Sequence, residues 1–174
     1  MRQIALKPQD VVVALKIALI GSGKRTFARL ANELAMPASE VHASTHRSEQ
    51  AGIITTSLGD GLCVMKPALR EFLVHGVKYA FPAVFGGVTR GVLTASGGPT
   101  LSKLLITSDE GPPVWPYFAG EARGPALCPL YPKAPDAAAK DPGFYDLLTL
   151  IDAIRVGGAR DREIAEAELE KRLT

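Results

Sequence analysis

The stretch from Thr26 to Ile54, TFARLANELAMPASEVHASTHRSEQAGII, constrains the fold more than any other part of the chain. Phe27, Leu30, Ala31 and Leu34 recur at i, i+3, i+4 and i+7, which is one apolar face of a helix from about Thr26 to Leu34. Pro37 has no N–H to continue that helix and restricts the residue before it, so Ala35-Met36-Pro37 is a turn. A second helix is expected from Ser39 to Ala51, with the Ser39 hydroxyl as its cap and Gly52 as its left-handed exit. Two short helices across so tight a turn have the geometry of a helix-turn-helix.

Leu30-Ala31, Leu34, Met36, Ser39-Glu40-Val41 and Ala51-Gly52-Ile53-Ile54 together resemble the winged helix-turn-helix of MarR-like bacterial transcriptional regulators. The resemblance covers about the first 65 residues. It implies a recognition helix over 39–51 and a β wing after it. Ala35 stands where that family usually has Gly, and Thr45 and Ser48 stand where its recognition helix buries Leu. Replacing two buried leucines by hydroxyls forfeits about 1.5–3 kcal/mol of burial each. Such a helix either packs unusually or turns those positions to a partner or to solvent.

The wing is expected from Ile53-Ile54-Thr55-Thr56, a turn at Gly59-Asp60-Gly61, and a returning Leu62-Cys63-Val64-Met65. Helical spacing puts Ser39, His42, Ala43, His46, Arg47 and Gln50 on the outer side of the second helix. Ser39, His42, Ala43, His46 and Arg47 are expected at base edges, with Gln50 beside them. Phosphate neutralisation is assigned to Lys24, Arg25, Arg29 and Arg47. On this reading Arg47→Ala weakens binding and leaves the fold intact. His42 and His46 have a two-histidine spacing, but no Glu, Cys or Asp completes a ligand set, so no metal is expected.

Charge is unevenly spread. Residues 1–100 carry 11 Lys/Arg and 6 Asp/Glu; residues 101–174 carry 9 and 12. A basic first part and an acidic second part suit a nucleic-acid-facing N-terminal region. Cys63 and Cys128 have no CxxC spacing, which predicts buried thiols in a reducing compartment. MRQIALKPQD lacks the apolar run of a signal peptide, and no stretch is apolar enough to span a membrane, so the expected location is cytoplasmic.

Residues 8–20, PQDVVVALKIALI, read as a helix with Pro8 in its first turn, although Val11-Val12-Val13 keeps a strand open. A strand there would let Gly21-Ser22-Gly23-Lys24 act as a phosphate loop. That motif needs Gly where Ala18 stands and a hydroxyl where Arg25 stands. Pro67 opens a helix to about Phe81 with Leu69, Phe72, Leu73, Val77 and Ala80 as its apolar stripe, and His75 is expected to pack. Within it, LREFLVHG is similar to the Ala-Leu-x-x-His-Gly element of antitoxin-like regulators.

Ten of the 13 prolines fall between 82 and 142. Short strands are expected at Val84-Phe85 and Val88–Leu93, a short helix from Pro99 to Leu105, and an extended arm over Pro112–Phe118. An effector or partner surface here would use Arg90, Trp115 and Arg123. Asp141 and Pro142 open a helix to Val156 with Phe144, Leu147, Leu148, Ile151 and Ile154 buried. A charged last helix runs over 160–173 as a surface or subunit-contacting element.

The chain is therefore expected to be mainly α with a small β wing, an α+β fold. Residues 1–65 form the winged helix-turn-helix, and 66–174 form a dimerisation or partner region with helices near 67–81, 142–156 and 160–173. The expected function is transcription regulation by a homodimer on double-stranded DNA, with a protein partner for the C-terminal half. No enzymatic activity, cofactor, metal or membrane is expected. The alternatives are a protein-interaction or antitoxin-like module on the same scaffold, and a nucleotide-binding enzyme built on Gly21 to Lys24.

Overall fold

The computed structural model describes residues 4–21, 26–57, 61–105 and 111–173. It is an α+β chain, mostly helical with little strand. Helix α1 (Pro8–Ile20) starts with Pro8 at its first position, and the Lys7 N–H donates to Asp10 Oδ2 at 2.8 Å. Val11 to Leu15, Lys16 and Ile17 are all buried, and α1 packs on α2, α3 and α7. A helix apolar nearly all round belongs in an interior. That packing overrides the weak strand preference of three consecutive valines.

Helix α2 (Phe27–Leu34) is capped by the Thr26 hydroxyl, which accepts the Arg29 N–H at 3.2 Å. It ends on Ala35 at φ 50°, ψ 41°, the left-handed region, with the Met36 N–H returning to the Ala31 carbonyl. An alanine there costs about 1–2 kcal/mol that glycine avoids. Burial of Met36 helps hold the turn. Helix α3 (Ala38–Gln50) starts one residue before the expected Ser39. Pro37 is its N-cap, and no side chain caps it. Pro37 already holds φ −58° for entry, and Ser39 is left exposed in the first turn.

Thr45 and Ser48 turn inward, to neither partner nor solvent. Both are buried, with Ser44, in a helix that packs on α1. The Thr45 hydroxyl donates to the Val41 carbonyl at 2.9 Å, while Ser48 Oγ has no partner among the described residues. Strands β1 (Ile54–Ser57) and β2 (Gly61–Val64) form an antiparallel hairpin pairing Ile54 with Val64 and Ser57 with Gly61. It is offset by one residue from the expected wing. Its tip, with Asp60, lies outside the described residues.

Helices α4 (Lys66–Glu71) and α5 (Val77–Ala80) are joined by a π turn over Phe72–Gly76. Leu69, Leu73 and Val77 are buried as a stripe. Ala80 departs from expectation and is exposed, because a π turn inserts a residue and rotates the helical turn after it. His75 is exposed rather than packed.

Strand β3 (Phe85–Leu93) spans both short strands expected there, with a bulge between Gly86 and Val88. It pairs antiparallel with β4 (Val114–Pro116) and β5 (Ala122–Leu127), and β4 meets β5 at Val114 and Ala126, closing the three strands on themselves. The closure requires Gly91, where a Cβ would stand 2.0 Å from the Trp115 carbonyl oxygen. The helix expected from Pro99 shrinks to a 3-10 turn at Leu101–Lys103. Helix α6 (Ala134–Lys140), a short helix, forms inside the proline-rich window at a place where the sequence reading expects none.

Asp141 caps α7 (Pro142–Val156) by accepting the Phe144 N–H at 3.0 Å. Phe144, Leu147, Leu148, Ile151 and Ile154 are buried as the periodicity requires. Helix α8 (Ala159–Leu173) buries Ala165, Leu169 and Leu173 and packs along α7; Ile164 is half-buried. One apolar core runs from Val11 through Leu73 and Trp115 to Leu173, so packing does not divide at residue 65. Among the described residues no helix is long and apolar enough to cross a membrane.

Buried Lys16 ties three helices together. Its ammonium lies 2.7 Å from Asp141 and 3.3 Å from Glu33, over the Phe144 ring. The Arg29 hydrogen bond, aided by Lys16, holds the Glu33 carboxyl below its ordinary value of 4.5 against opposing burial. Burial pushes Asp141 up, but Lys16 and the Phe144 N–H outweigh it and hold it below 3.8. Depressed carboxylates add stability that is complete above their unfolded values and lost as pH falls through the folded ones. Unfolding free energy measured from about pH 6 to about pH 3 is therefore expected to fall below pH 4.5. Lys16→Met should lower the plateau and flatten that fall. An unchanged slope in the variant would contradict the assignment.

Candidate nucleic-acid interface

Helix α3 has two faces of different chemistry. Val41, Ser44, Thr45 and Ser48 are buried. Ser39, His42, His46 and Gln50 are exposed, and Ala43 is half-buried between them. The Gln50 amide lies 3.2 Å from His46 Nε2, and His42 meets the Phe27 ring edge-on at 5.1 Å between centroids. Glu49 accepts the Thr56 hydroxyl, which links α3 to the hairpin.

Arg47 does not join that face. Its side chain is 11% exposed and lies against Asp10, which is 1% exposed, with Nη2 2.7 Å from Oδ1 and Nε 2.8 Å from Oδ2. Nη2 also reaches Glu40 at 2.6 Å and Ser44 Oγ at 3.1 Å. The Asp10 hydrogen bonds raise the guanidinium's pKa against burial, and Glu40 adds to this. Burial pushes the Glu40 carboxyl up, but Arg47 and Gln9 outweigh it and hold it below its ordinary value. Helical spacing alone puts Arg47 outside; Asp10, 37 residues away, draws it in. A buried carboxylate needs a cation, and a forked guanidinium satisfies both oxygens.

The exposed face of α3 thus carries hydrogen-bonding groups and two imidazoles but neither Lys nor Arg. Arg29, at the start of α2, is 65% exposed and paired with Glu33 at 2.8 Å. Lys24 and Arg25 lie outside the described residues. So does most of the Gly21–Lys24 loop, while the residues before it are helix and not the strand a phosphate loop requires. His42 and His46 belong to no cluster of three metal-ligating side chains among the described residues.

The other expected grouping comes apart. Arg90 and Arg123 face each other in register across β3 and β5 and are exposed, whereas Trp115 is buried. The Trp115 indole donates to Asp152 Oδ2 at 2.6 Å, the Thr94 hydroxyl donates to the same oxygen at 2.8 Å, and Arg155 meets Oδ1 at 2.6 Å. Arg155 also donates to the Phe81 and Pro82 carbonyls. This buried knot fastens the small sheet to α7. Only the i, i+3 spacing of Asp152 and Arg155 hints at it in the sequence. Cys128 is exposed and Cys63 half-buried, so neither is the buried thiol expected.

No protein-family model matches the chain, and no curated protein or solved structure matches it.

Proposed function

We propose that the chain is a cytoplasmic DNA-binding transcription regulator that lays the exposed face of α3 in the major groove, in a winged helix-turn-helix arrangement similar to MarR-like proteins. The observation that carries this reading is the division of α3: its inner face is packed on α1, while Ser39, His42, His46 and Gln50 are exposed on the outside. Ser and Gln side chains have the donors and acceptors that read base edges. Arg29, Lys24 and Arg25 supply phosphate contacts around the groove. Arg47 acts by orienting α3 against α1. A homodimer would set two such helices about 34 Å apart on one face of the duplex, paired through the C-terminal half.

A second reading, a protein-interaction module of antitoxin-like type, is favoured by one observation: the sole arginine of α3 is spent on Asp10. Fluorescence anisotropy separates the two. The proposal expects tighter binding to DNA upstream of the chain's own gene than to random duplex, weakening steeply with salt. Gln50→Ala should cost about 1–3 kcal/mol on the preferred sequence, and Arg29→Ala should lower the salt slope by about 1 on every sequence. Absence of binding to either duplex at micromolar protein and low salt favours the interaction module.

A further inference from the structure

A cavity of about 460 Å³ lies between the small sheet and the junction of α7 with α8. Phe85, Pro113, Pro125 and Val156 give it apolar walls, and Ser96 adds one hydroxyl. Among the described lining residues Asp161 is the only titratable group. Its carboxylate has no ion pair or hydrogen bond among the described residues, although Arg160 and Arg162 flank it in sequence.

The charge at this cavity is negative. Helix α7 ends here, at Val156 and Gly157, so the negative end of its dipole adds about half a charge. Helix α8 begins here with the opposite half charge, but Asp161 sits in its first turn with a full one. The wall is also preformed. Ala95 lines the cavity at φ 50°, a conformation an L side chain rarely adopts. Its neighbour Thr94 is pinned to Asp152. Backbone strain of this kind persists where surrounding structure enforces it, often beside ligand sites. The lining mixes polar and apolar surface in about equal parts, and a volume of this size suits a small molecule that carries both kinds of group.

We propose that this cavity binds a small amphipathic amine, with its apolar body between the sheet and α7 and its ammonium on Asp161. No residue of α2 or α3 lines it, so the inference stands apart from the DNA reading.

The test is a titration of the full chain followed by amide NMR, with 4-phenylbutylamine, 4-phenylbutanol and 4-phenylbutanoate as probes. The amine should shift the Ala95, Ser96, Gly157 and Gly158 amides saturably and bind on the order of tenfold tighter than the alcohol. The anion should bind more weakly than either. Asp161→Asn should bring the amine to the alcohol's affinity and leave the alcohol unchanged, with the spectrum reporting that the fold is intact. The proposal is overturned by an anion that binds as tightly as the amine, by an unchanged amine affinity in Asp161→Asn, or by no shift of these amides with millimolar amine.

Discussion

Arg155→Met is expected to lower the unfolding free energy by about 3–5 kcal/mol, because it leaves the Asp152 carboxylate buried with no cation. Asp152 is 1% exposed, and the Arg155 side chain is 4% exposed. Thr94 and Trp115 still donate to Oδ2 in the variant, but Oδ1 loses its partner. Two neutral hydrogen bonds do not offset the desolvation of a full charge. Arg155 also satisfies the Phe81 and Pro82 carbonyls, where the chain passes from α5 into the sheet. The double variant Asp152→Asn/Arg155→Met should recover most of the loss, since an amide oxygen still accepts from both Thr94 and Trp115. Urea unfolding followed by circular dichroism reads both. A single-variant loss below about 1 kcal/mol, the scale of an exposed pair, would mean that the knot is not the fastening described.

Arg47→Ala is expected to behave as a core lesion rather than as the loss of a DNA contact. It strands Asp10, which Arg47 engages through two nitrogens, and it releases Glu40. The same orphaning of a buried charge sets the expected loss at about 3–5 kcal/mol. Arg47→Lys should recover only part, because a point ammonium cannot match the fork of the guanidinium. Asp10→Asn/Arg47→Met should recover more than Arg47→Ala alone. An Arg47→Ala protein of unchanged urea midpoint and weakened DNA affinity would return Arg47 to the outer face.

The same pair shows how far the sequence is legible. The stripe Leu30, Ala31, Leu34 and the α7 face from Phe144 to Ile154 repeat at helical spacing, so local pattern finds both helices and their buried sides. Arg47 obeys the same spacing and still points inward, because buried Asp10 pairs with it; that partner is remote in sequence, so helical spacing does not reveal it. Trp115 reads as part of an extended arm for the same reason: its partner Asp152 lies on another element. The β3–β4–β5 closure depends on glycine contacts such as Gly91 against the Trp115 carbonyl, which no periodicity encodes. Helix α6 is hidden by Pro135, which sits in the first turn, where proline is tolerated. Of the residues assigned to DNA contact, Ser39, His42, His46 and Gln50 share an exposed face, Ala43 is half-buried among them, and Arg47 is removed from it.

The most direct test of the central claim is amide NMR of the chain titrated with a short duplex from upstream of its own gene at low salt. Shifts concentrated at Ser39, His42, Ala43, His46 and Gln50 and at the start of α2 around Arg29, fading as salt is raised, are the expected result. Shifts confined to the β3–β5 sheet or α8, or none at all, would contradict the claim.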